Sequence, residues 1–165
     1  MRLGVWCKAA VVLALTYPID LAAAQGDAPQ SLSAAGKAAS RVHMHIQLVL
    51  RKLSACGDLD AENKSIYAAV TAEYLGDKTV SEAMAGSAKI LDNETGGAQR
   101  KRDIEQFVVD ADSRERQATA ASLEHFQQDC RAATRVFAAH QGSFQPLRVM
   151  FPQDMALLES RGSGK

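Results

Sequence analysis

SAAGKAASRVHMHIQLVLRKLSACG, residues 33–57, decides the fold class. Within it Val42, Ile46, Val49, Leu53 and Cys56 recur at intervals of 4, 3, 4 and 3, which aligns them on one face of an α-helix. Ser31 or Ser33 is placed to cap the start, and Gly57 to end the helix as a left-handed residue. Cys56 then sits on the buried stripe in the last turn.

Toward the carboxyl terminus the pattern stays helical. Asp58 or Asp60 is placed to cap a second helix running to about Leu75, with Ile66, Tyr67, Val70 and Tyr74 on one side and Gly76 at its stop. Asp77 opens a third through about Asp92, carrying Val80, Met84 and Leu91, with Gly86 either weakening it or allowing close packing. Turn formers crowd Asp92 to Gly97. The 44 positions from Ala98 to Gln141 contain neither proline nor glycine, and they read as one long, bent helix ended by Gly142. Its apolar patches are Ile104, Phe107, Val108 and Ala111, then Leu123, Phe126, Cys130, Ala133 and Phe137. Between them Asp110 with Arg114 and Asp112 with Arg116 form i,i+4 pairs on a solvated face, and Asp112 with Glu115 offers an alternative start that would split the segment. Leu147 to Phe151 and two helical turns over Gln153–Ser160 form a tail expected to dock on the bundle.

Toward the amino terminus the character changes. Arg2 and Lys8 precede the apolar run from Ala9 to about Ile19, and Ala22-Ala23-Ala24 supplies an A-x-A cleavage site, the pattern of a secretory signal peptide over residues 1–24. The apolar run is broken by Pro18 and falls short of the ~20 residues of a membrane-spanning helix, so stable insertion after cleavage is not expected. Residues 25–32 read as a flexible segment, 33–160 as one helical domain and 161–165 as a disordered tail.

Without Arg2, Lys8 and Asp20, the exported chain carries 17 basic and 18 acidic side chains, a balance that offers nothing to nucleic acid. Two cysteines remain, Cys56 and Cys130, 74 positions apart. In an oxidising compartment they are expected to pair, and closing so long a loop stabilises by roughly 4 to 5 kcal/mol on a chain-entropy estimate. The expected fold class is therefore all-α: an irregular bundle of about four main helices with a carboxyl-terminal tail and one disulfide.

Chemistry-bearing motifs are sparse. His43, Met44 and His45 combine imidazole and thioether, donors that suit copper, although residues two apart point to different sides of a helix. His125 and Asp129 are spaced to meet on one helix but have no evident nucleophile, and His140 suits a helix carboxyl terminus as a cation. Gly96-Gly97 before Arg100-Lys101-Arg102 reads as a turn followed by solvated charge, with anion binding at the helix start as the alternative. The chain contains no C-x-x-C-H, no Glu-x-x-His, no H-E-x-x-H and no G-x-S-x-G. No cofactor is expected. The reading is a bacterial periplasmic or secreted protein-interaction module without catalytic activity, of the inhibitor or immunity, chaperone or secretion-accessory type. Its expected contact residues are Arg100, Lys101, Arg102, Arg114, Arg116, Phe144 and Phe151. The alternative is a carrier of metal or a small ligand through His43, Met44, His45 or His125.

Overall fold

A computed structural model describes residues 32–120 and 122–162. The proposed leader and residues 25–31 lie outside the described residues, as do 163–165. All regular structure described is helical: α1 (Ala34–Leu59), a 3-10 turn (Ala61–Asn63), α2 (Lys64–Gly76), α3 (Lys78–Asn93), α4 (Gly97–Ala120), α5 (Leu123–Ala138), a second 3-10 turn (Gly142–Phe144), α6 (Leu147–Met150) and α7 (Pro152–Gly162).

Helix α1 is the axis. The apolar stripe is buried as its spacing requires, and Val42, Ile46, Val49 and Leu53 pack against side chains from every later helix of the main core. Burial of each such side chain favours folding by ~1.5–3 kcal/mol. Small residues Ala35, Gly36, Ala38, Ala39 and Ser40 let neighbours approach the first turns closely, so that end of α1 is buried except along the edge carrying Ala34, Lys37 and Arg41. Helix α3 runs antiparallel to α1, pairing Ser87 with His43 and Glu94 with Ser33. Helix α4 runs parallel to it, pairing Asp112 with Arg51 and Arg116 with Asp58.

The caps show which local signals won. Ser33 Oγ accepts from the Gly36 N–H at 3.0 Å, and Glu94 accepts from the Ser33 hydroxyl and, at 3.1 Å, from its N–H. This is the reciprocal logic of a capping box, with the carboxylate supplied from 61 residues away. Asp77 caps α3 through the Val80 N–H at 2.9 Å, as its position predicts. Gly57 does not stop α1, which continues to Leu59 because the contacts of its last turn with α2 and α5 favour helix. Neither Asp58 nor Asp60 caps α2.

The long segment divides into α4 and α5 at Ser122, whose φ of −160° and ψ of 81° leave the helical region, and not at Asp112–Glu115. The chain must turn here for Cys130 to reach Cys56; the two bond with Cα atoms 5.6 Å apart. Helix α5 ends at Ala138 and not at Gly142. His140 takes a left-handed φ of 50°, its N–H bonds the Phe137 carbonyl at 2.9 Å, and the Gln141 N–H bonds the Val136 carbonyl at 3.0 Å, completing a Schellman cap. The tail docks as expected: Phe144, Leu147, Met155 and Leu158 are core residues, Arg41 holds Asp154 at 2.5 Å, and α7 extends through Arg161 and Gly162, two residues into the stretch read as a disordered tail.

The α3–α4 corner depends on Gly97, where an added Cβ would lie 1.8 Å from the Leu91 carbonyl oxygen, whereas a Cβ on Gly86 meets nothing. Gly97→Ala is therefore expected to destabilise by more than about 2 kcal/mol, and Gly86→Ala to stabilise by about 0.5–1 kcal/mol, both read by urea denaturation. His140→Gly relieves a left-handed side chain and is expected to add about 1 kcal/mol in the same assay.

Candidate functional site

The metal-donor motif comes apart on α1. His43 faces α3, where its Nδ1 lies 3.2 Å from the Ser87 Oγ. Ser87 Oγ already donates to the Met84 carbonyl at 3.0 Å, so His43 Nδ1 carries the hydrogen and donates to the hydroxyl oxygen. His45 faces the tail, bonding the Ser143 carbonyl at 3.0 Å and meeting the edge of Phe151 with ring centroids 5.1 Å apart. Met44 is packed in the core. Burial lowers the pKa of both histidines, reinforced at His43 by Lys101 and opposed by Glu105 and Asp92, and opposed at His45 by the Ser143 carbonyl. Both imidazoles thus serve as interhelical struts. Among the described residues, no group of three or more His, Cys, Asp or Glu side chains could hold a metal ion.

His125 and Asp129 do approach each other, at 3.8 Å, but on the solvent face of α5 with side chains 68% and 45% exposed. The hydroxyl that a histidine does touch, Ser87, is sealed in the interior and spends its proton on a backbone carbonyl. Sequence reasoning missed that contact because its partners are 44 positions apart.

The basic residues expected to meet a partner divide into two sets. Arg116 bonds Asp58 at 2.9 Å and Asp112 at 3.0 Å, while Arg51 reaches the same Asp112 at 2.7 Å and Lys52 pairs with Glu115. Of the stretch read as a solvated face, Asp112, Glu115 and Arg116 therefore form a polar seam that joins α4 to the second half of α1, while Asp110, Ser113 and Arg114 are exposed. Asp112 is buried there, with one carboxylate oxygen lacking a partner among the described residues. Burial alone would raise its pKa, but Arg51 and Arg116 outweigh that and hold it below the usual value. Lys101 bonds Asp92 at 2.9 Å, and Arg102 bonds Gln99 at 2.6 Å. Arg114 donates to the Asp110 backbone and not to its carboxylate. Arg100, Arg102 and Arg114 reach solvent. Phe144 does not: it is buried edge-on against Phe137 and Tyr74, which removes it from any docking surface, and Phe151 is half-buried against His45.

What the surface does offer is a shallow open hollow of about 340 Å3 between α1 and α4. Leu50, Val108 and Val109 supply its apolar lining, and Arg51, Ser54 and Glu105 its polar rim. Val109 is 49% exposed, and Phe107 nearby in sequence is exposed as well. Such a site is too open to enclose a small molecule, since small-ligand pockets bury most of their occupant. It suits a side chain presented by another polypeptide.

A second polar cluster lies beside the disulfide. Asp60, 1% exposed, accepts from Tyr67 Oη at 2.8 Å, Asn63 Nδ2 at 2.9 Å and Arg131 Nε at 3.2 Å. The Arg131 hydrogen bonds lead in holding the Asp60 carboxyl below the usual carboxylate range, against the effect of burial. Burial and then Asp60 push the Tyr67 hydroxyl up to about 12. Nothing in the sequence distinguished Asp60 from an ordinary cap, because Arg131 is 71 positions away.

Among the described residues no helix is long and apolar enough to cross a membrane. Because the folded pKa of Asp60 is lowered, its contribution to stability is fully present above pH ~4 and is lost as pH falls through the folded value. The melting-temperature gap between the wild type and Asp60→Asn should thus hold from pH 7 to about 5 and narrow progressively as pH falls below about 4. A gap unchanged at pH 2 would show that the charge contributes nothing. No protein-family model, curated protein or solved structure matches this chain.

Proposed function

We propose that this is an exported, non-catalytic module that binds another protein through the α1–α4 face. The observation that carries the reading is the open hollow lined by Leu50, Val108 and Val109 and rimmed by Arg51 and Glu105, an apolar patch bordered by charge. Export is supported by the signal-like first 24 residues and by the Cys56–Cys130 bond, which persists in oxidising compartments such as a periplasm or the extracellular medium. An inhibitor, a chaperone and a secretion accessory protein would all act through such a face.

Two measurements test this. A photo-cross-linking residue placed at position 109 and expressed in the native host should join one defined protein. Val109→Asp, measured with the cross-linking residue moved to position 54 on the rim of the hollow, should cut the yield at least tenfold relative to the same protein with Val109, the melting temperature unchanged, since the Val109 side chain is already half in water. Equal cross-linking to many proteins, or none, defeats the proposal. Export is checked by intact mass, with Gln25 expected at the amino terminus.

A further inference from the structure

We infer that the Cys56–Cys130 bond is a local latch, whose reduction releases the first half of α5 and uncovers an apolar surface while the main core stays folded. The interior is divided in two. The larger cluster joins α1, α2, α3 and α4 with the tail and takes from α5 only Phe137 and the side chains beside it. The smaller one consists of Ala55, Cys56, Tyr67, Phe126 and Cys130, with Leu59 packed at its edge. Both sulfurs lie in the smaller cluster, so cutting their bond removes the side-chain crosslink of a satellite of five residues and breaks no bond within the main core.

Helix α5 is accordingly anchored unevenly. Its last turns are held by Phe137, which meets Phe144 edge-on at 5.2 Å within the main core. Its first turns begin at Ser122 with no side-chain cap, and Leu123 is exposed. Beyond the bond they rely on Phe126 beneath Lys52 (4.4 Å), on Gln127 donating to the Leu59 carbonyl at 2.9 Å, and on Arg131, whose side chain is half in solvent where it meets Asp60. Without the crosslink, one aromatic contact and two rim interactions must offset the ordering entropy of about two helical turns, in a helix that is short for independent stability.

The chemistry is thiol–disulfide exchange with a dithiol. The dithiol gives two electrons and two protons, the S–S bond breaks, Cys56 and Cys130 end as thiols, and the reductant closes its own disulfide. Both sulfurs are fully buried, so exchange proceeds through transient opening of the same first turns of α5. Once free, those turns bare Leu59 at the end of α1, the Asp60 carboxylate just beyond it, Tyr67 on α2 and Phe126 on α5.

The test is hydrogen exchange by mass spectrometry on the purified oxidised protein and on the same protein after dithiothreitol, with thiol alkylation to score reduction. Cys56→Ala/Cys130→Ala is measured alongside. Exchange should accelerate by about tenfold or more in residues 55–67 and 122–131 of both reduced and variant proteins, with 36–50 and 80–91 unchanged. Unchanged protection at 122–131, loss of protection throughout the chain, or a bond that resists the dithiol in the folded protein would each overturn the inference.

Discussion

The enclosure of α1 is the constraint on which the rest of the molecule depends. A helix of 26 residues that keeps only a stripe through Ala34, Lys37, Arg41, Arg51, Ser54 and Asp58 in water leaves the rest of its circumference to be covered, and α2, α3, α4, α5 and α7 are arranged to cover it. Glycine and alanine in its opening turns make that closeness possible, and they make its exposed N–H groups a problem. The solution is Ser33 backed by Glu94, whose carboxyl the Ser33 hydrogen bonds hold below its ordinary pKa. The same contact therefore seats the end of α3 and caps the start of α1.

Along its length α1 changes the kind of chemistry it uses. Its middle is apolar packing against the main core, whereas its second half meets α4 through Arg51, Lys52 and Asp58 facing Asp112, Glu115 and Arg116. Exposed ion pairs contribute little individually, but here Asp112 is buried and shared by two arginines, and removing one partner would leave a charge stranded. Such a seam fixes the register of α4 against α1 more than it adds raw stability. It also explains why a run without large apolar side chains remains helical.

That arrangement bears on function by elimination and by exposure. The histidines, the buried serine and most of the paired charges have structural partners, so the residues that looked most chemical are those the fold has already used. Among the described residues an open apolar hollow lies on the α1–α4 seam, and beside the disulfide sits a small second core covered by the first half of α5.

Helical class, the buried stripe of α1, the Asp77 cap, the docking of the tail and the cysteine pair were legible because each rests on periodicity, local capping or compartment chemistry, all of which operate within a few residues or by counting. Ile66, Phe107 and Leu123 were placed on buried faces by the same periodicity and are exposed, since a period marks a face without saying whether a neighbour covers it. The break before Ser122, the left-handed His140, the Asp60 cluster and the polar seam were settled only in three dimensions. The Asp60–Arg131 and Asp112–Arg51 pairs join residues 71 and 61 positions apart, while the His140 cap is local and is decided by where α5 must end; the energies that favour them arise when helices pack, where burial and pairing outweigh the propensity of any single residue.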